Sequence, residues 1–165
     1  MKPMSTLSIH SLEDFTRLAL KPSRLATLDI GTKTIGIALS TPDWHSAMPL
    51  MTITRSKWSV DLAALEKTFQ GFDIGGLVVG LPYNMDGSEG SRAQGVKQVV
   101  YNLIKAAPPW LDGPIAFIDE RLSSAGATHV LEEMPRAKAK AKGALDAMAA
   151  QIILERALNK IRDIQ

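Results

Sequence analysis

Three acidic positions stand out by where they fall in the hydrophobic pattern. Asp29 closes the apolar run Leu25-Ala26-Thr27-Leu28-Asp29-Ile30, and Gly31 follows. A carboxylate at the end of an apolar strand is costly unless it is paired, hydrogen-bonded or bound to a cation. A glycine behind it lets a backbone or a ligand come close. The competing reading is an Asp that starts a turn. Asp119 and Glu120 close the run Ile115-Ala116-Phe117-Ile118 in the same way. Adjacent strand residues point to opposite faces, so one of the pair is expected to share a site with Asp29. The alternative there is a solvated strand terminus. Asp146 is the most informative of the acids. Ala149, Ala150, Ile153 and Ala157 follow it at helical spacing, which puts Asp146 on the apolar face of its helix. Its place near the helix start offers one structural excuse, because the helix dipole favours an acid there.

Acids on two strand ends and one helix are what a divalent metal site needs. Mg2+ and Mn2+ prefer carboxylate oxygen and water. Two such ions can flank a scissile phosphate, one activating water and one stabilising the leaving oxygen. Arg136, Lys138, Lys140 and Lys142 alternate with alanines just before Asp146. Such a run is ordinarily a solvated surface, but beside a candidate catalytic acid it suits phosphate contact. Asn84-Met85-Asp86-Gly87 follows another apolar run, and loops at the carboxyl ends of such strands commonly bind ligands. The simpler reading is that Asn84 and Gly87 make the turn. Arg92 and Lys97 on the next helix add cations. The expected nucleic-acid contacts are Lys33, Asn84, Arg92, Arg121, Lys138, Lys140 and Lys142.

Other chemistries are disfavoured. There is no cysteine, which removes a thiol nucleophile, a Cys-type zinc site and a disulfide framework. His10, His45 and His129 have neither zinc-like spacing nor a triad pattern. Gly31/Gly36 and Gly71/Gly76 have P-loop spacing, but Ile37 and Leu77 stand where Lys is required.

The elements that must position these acids follow from periodicity. Ser11 caps a short amphipathic helix over 11–20, which Lys21-Pro22-Ser23 breaks; residues 1–23 are read as an extension and 24–165 as the domain proper. Strands are expected at 25–30 and 34–40, joined by a hairpin, and at 48–54. A helix over 60–69 leads to a fully buried strand at 74–80. A long helix over 88–105 ends at Pro108-Pro109, and a fifth strand covers 115–118. Helices follow at 123–133 and 144–161, with 135–142 as a basic linker between them. An antiparallel meander followed by right-handed crossovers gives an α/β fold: a five-stranded mixed sheet flanked by helices.

Length and composition agree. The 165 residues suit one domain, with 45% hydrophobic and 22% charged residues and a net charge of +2. No stretch approaches a membrane span, and the first 21 residues lack a signal-peptide pattern, so a cytoplasmic protein without a membrane partner is expected.

Four segments in order, LDIGTKTIGIALS, VVGLPYNMDGSEG, FIDERLSSAGA and KGALDAMAAQIIL, resemble the YqgF/RuvX family of RNase H-like resolvases and nucleases from Leu25 to Leu158. The resemblance implies a ribonuclease H-like fold and metal-dependent nuclease chemistry, with processing of the 5′ end of pre-16S ribosomal RNA in ribosome biogenesis. The family also goes by the name of Holliday-junction resolvase. The implied partners are pre-rRNA or branched DNA, and ribosomal precursor particles. Carried over by motif, the acidic site is Asp29, the Asp119-Glu120 pair and Asp146. Glu120 is favoured within the pair, and Asp29, Glu120 and Asp146 are the expected Mg2+ or Mn2+ ligands. Thr34 stands where the family often has Arg, and Ser123 where it often has Thr. The rival readings are a non-catalytic nucleic-acid-binding assembly factor and a phosphotransferase of the actin and hexokinase superfamily. The second needs another domain to close over nucleotide.

Overall fold

The centre of the sheet is β1 (Arg24–Ile30), buried on both faces. In this computed structural model residues 7–120 and 138–165 are described, with side chains of the last helix described from Gly143 onward. β2 (Thr34–Ser40) turns back antiparallel to β1, and β3 (Ala47–Thr54) pairs antiparallel with β2. After α2 (Trp58–Phe69) the chain returns as β4 (Ile74–Leu81), parallel to β1; after α3 (Ser91–Ala106) it returns as β5 (Ile115–Asp119), parallel to β4. The strand order is β3-β2-β1-β4-β5. This is the five-stranded mixed sheet expected from the meander and the two crossovers. The α/β architecture is consistent with a ribonuclease H-like fold.

Alternation along the strands sorts the core into two layers. Leu28, Ile30, Ile35, Ile37, Leu77 and Val79 face α2 and α3. Leu25, Ala38, Val78, Ala116 and Ile118 face α1 (Leu12–Leu18) and α4 (Lys138–Ile164). Ser11 caps α1 as expected, its hydroxyl accepting from the Asp14 amide. Residues 8–20, read from the sequence as an extension, pack onto the domain. Phe15 is fully buried against Gly76, and Ile9 bridges to Ile115 beside β5.

One expectation about the C-terminal part changes. The stretch 135–142 was expected as a linker, yet Lys138–Lys142 already belongs to α4, which is 27 residues long. Alternating Ala and Lys are strong helix formers, so the basic run continues the helix. The helix expected at 123–133 lies outside the described residues, as does Arg121. None of the described helices is long and apolar enough to cross a membrane.

Candidate active site

Because β1, β4 and β5 are parallel, their carboxyl ends share one edge of the sheet. Asp29 on β1 lies on the α4 face, in phase with Leu25 and opposite in parity to Leu28. On β5, Ala116 and Ile118 face α4 while Phe117 packs on the other layer. Period two therefore sends Glu120 to the face of Asp29 and Asp119 to the other. Glu120 is held there by its amide, which donates to Leu81 O at 3.2 Å. Its side chain is only 4% exposed and hydrogen-bonds Asp29.

Asp146 arrives from α4 by a close approach of backbones. Asp29 is the register partner of Gly36 on β2, so both point at α4. A Cβ at Gly36 would lie 2.0 Å from Asp146 O, so no side chain fits there. The missing side chain lets the third turn of α4 sit on the sheet beside Asp29. The Thr34 hydroxyl donates to Asp146 Oδ2 at 2.9 Å and fixes that carboxylate. Thr52 Oγ1 donates to Gly143 O, and Gln151 Nε2 donates to Ala47 O at 3.2 Å, tying the same stretch of helix to β3. Gly80 does for Glu120 what Gly36 does for Asp146: a Cβ there would meet Glu120 Oε2 at 2.8 Å and Ile153 Cδ1 at 2.7 Å.

The electrostatics reflect this crowding. The Glu120 carboxyl is pushed up to about 8, first by burial, then by the charge of Asp29 and the hydrogen bond to it. Asp119 adds a smaller push. Asp29 is also raised, first by burial and then by the charge of Asp146, while the hydrogen bond from Glu120 pulls it down. The proton of the pair therefore sits on Glu120, which donates to Asp29. The Arg92 guanidinium, at the start of α3, pulls both groups down.

Asp29, Glu120, Asp146 and Arg92 thus gather at one edge. Lys33 is exposed on the β1–β2 turn next to Asp29. Asn84 builds its own loop: its backbone amide donates to Ser88 O, its side-chain amide donates to Ser88 Oγ, and its carbonyl accepts from the Gly87 amide. Gly87 has φ 88, a left-handed conformation suited to glycine. Lys97 is paired with Glu89. Lys138, Lys140 and Lys142 lie in the first turns of α4, upstream of Asp146 on the same helix. Sequence reasoning missed Gly36 and Gly80, which make the room, Thr34 as a partner of Asp146, and Arg55. The Arg55 guanidinium reaches over from the end of β3 to Gly31 O at 2.6 Å. An isolated Gly inside an apolar strand was the available signal for the first two.

The donor set is three carboxylates, which suits a hard divalent cation. Two of them, Asp29 and Glu120, have raised pKa values, first because burial disfavours the charged form and then because the acids repel one another. Among the described residues no group of three or more His, Cys, Asp or Glu is close enough together to hold a metal ion as it stands. Glu120 is closed onto Asp29 through a proton, and Asp146 onto Thr34.

A family model described as RuvX, Holliday junction resolvase, matches residues 23–160. The chain belongs to this family. A Rhodobacter capsulatus protein named "Putative pre-16S rRNA nuclease" is 43% identical over 150 residues, covering 91% of this chain and 92% of that one. Proteins of the same name from a Chelativorans and a Ruegeria species are each 40% identical, over 159 and 158 residues, with 95% or more of either chain covered. The RuvX match spans every strand and all three acids, and leaves out α1 and the last residues of α4.

Proposed function

We propose that this RuvX protein is a divalent-metal-dependent nuclease acting on structured RNA, with the 5′ end of pre-16S rRNA as its substrate. The observation that carries the reading is the convergence of Asp29, Glu120 and Asp146 on one sheet edge, with Gly36 and Gly80 clearing the space. The names of the relatives favour a ribosomal RNA precursor. The family description favours a four-way DNA junction as the second reading.

Asp29, Glu120 and Asp146 would hold Mg2+ or Mn2+. When bound, such ions supply an activated water and a counter-charge for the leaving oxygen. The chain's own residues do the rest. To serve as ligands Asp29 and Glu120 would both have to be ionised, so Glu120 would release the proton it holds against Asp29. Thr34 holds Asp146 in one rotamer, so less ordering is left for the moment of reaction. Arg92 offsets negative charge beside Asp29 and Glu120 and would offer a cation to the phosphate they act on. Cleavage is then mainly positioning and charge neutralisation.

The test is cleavage of a pre-16S 5′-leader RNA and of a four-way DNA junction at one ionic strength, with Mg2+, Mn2+ or EDTA. Wild type should cut the RNA only with metal. Asp29→Asn should lose at least about 100-fold while binding the RNA as tightly or more tightly, because a repulsive charge has gone. Asp29→Asn cutting at the wild-type rate would refute the enzyme reading. Preference for the junction would select the second substrate.

A further inference from the structure

The cation that acts on the acids is Arg92, on the α3 side of the site. On the opposite side, across the β1–β2 hairpin, a second cation is held in place and left without an acid. Arg55 follows the last residue of β3, where Thr54 pairs with Thr34. Its amide donates to Lys33 O at 2.8 Å and its guanidinium donates to Gly31 O at 2.6 Å. Both ends of the residue are therefore clamped onto the turn that follows Asp29. A guanidinium carries five N–H donors, and the carbonyl of Gly31 occupies one nitrogen. Arg55 makes no salt bridge among the described residues, and neither does Lys33, exposed on the same turn. The acid nearest to Arg55 in sequence, Asp61, is buried and accepts from the Ser56 amide.

A fixed, half-buried Arg with unused donors at a nuclease edge suits a phosphate. Two residues of extended chain span at most about 7 Å, and each strand of a duplex carries a phosphate about every 3.4 Å along its axis. A phosphate at Arg55 is thus within about three linkages of one at Asp29. We propose that Arg55, assisted by Lys33, is a subsite for a phosphodiester flanking the scissile one. It fixes the path of the strand on the side of the acids away from Arg92. The proposal rests on the nuclease reading above for the identity of the scissile phosphate, and its test measures binding without cleavage.

The experiment is RNA binding in EDTA by full-length wild type, Arg55→Gln, Arg55→Lys and Lys33→Gln. The probe is a 5′-leader hairpin, and a set of the same hairpins each carries one uncharged methylphosphonate linkage. Arg55→Gln should weaken binding about tenfold, the worth of one charge-assisted contact, and lower the salt slope by about one. One methylphosphonate position should cost wild type a similar factor and cost Arg55→Gln nothing. Arg55→Lys keeps the charge, so it should stay sensitive to that position, and it carries the test if Arg55→Gln does not fold. Equal losses in wild type and Arg55→Gln at every linkage, or unchanged affinity and slope, would show that Arg55 only braces the hairpin. Asp29→Asn cutting at the wild-type rate would overturn the nuclease reading and leave this binding result standing.

Discussion

Replacing Glu120 by Gln should make the protein more stable, and by an amount that depends on pH. In the folded chain Glu120 is pushed from an ordinary 4.5 to about 8 by burial and by Asp29. Between those values the folded state holds a proton that the unfolded chain has released. Stability contributed by this group is therefore complete below about pH 4.5 and declines as pH rises to about 8, levelling off above. At 1.36 kcal/mol per unit, the cost is about 3 kcal/mol at pH 7 and close to 5 kcal/mol above pH 9 as an upper limit. Gln keeps the shape and still donates to Asp29, but carries no charge to repel it. Urea unfolding of both proteins in EDTA at about pH 5, 7 and 9 checks this. The two should nearly coincide at pH 5 and diverge by several kcal/mol at pH 9. If the site holds a divalent cation, saturating Mg2+ should flatten the wild-type profile and leave that of Glu120→Gln less affected. Parallel profiles, within about 0.5 kcal/mol of a constant offset, would mean that burial and Asp29 do not raise the Glu120 carboxyl as the structure requires.

Other variants probe the supports of the site. Gly36→Ala should cost about 2–4 kcal/mol in urea unfolding, since the new methyl meets the α4 backbone, whereas Gly80→Ala should cost less because it meets the flexible ends of Ile153 and Glu120. Thr34→Val should reduce cleavage about tenfold at unchanged RNA affinity, and Thr34→Ser should restore it, because only the hydroxyl to Asp146 is at stake. Lys138, Lys140 and Lys142 changed together to Ala should leave helicity intact and lower the salt slope of RNA binding by up to about three, read from titrations at several salt concentrations. An unchanged slope would make that run a solvated helix start.

What the sequence could show about the acids was largely a matter of parity and phase. Alternation along β5 already restricted the site to one of Asp119 and Glu120, and the structure puts Glu120 beside Asp29 because Ile118 faces α4 and Phe117 does not. The 3.6-residue phase of α4 placed Asp146 toward the sheet, and Ala149, Ala150, Ile153 and Ala157 are buried there as that phase requires. Both signals are local: they need only the spacing within one element. The start of α4 was misplaced for a local reason as well, since a dense run of Lys looks like a loop by charge while its Ala and Lys propensities favour helix.

The features that assemble the acids are of another kind. Gly36 matters because it is the register partner of Asp29 and lies under the carbonyl of Asp146, three segments that meet only after β2 has turned back and α4 has crossed the sheet. Thr34 and Arg55 gain their partners by the same closure, at sequence separations of 112 and 24 residues. No period in the chain reports a register between distant strands. The glycine was nonetheless a usable sign. Between Ile35 and Ile37, a strand gives up packing area and backbone order for a residue without a side chain, a cost that calls for something to occupy the space. In this chain that occupant is the backbone of the helix that delivers Asp146, so the constraint that weakens β2 is the one that completes the acidic site.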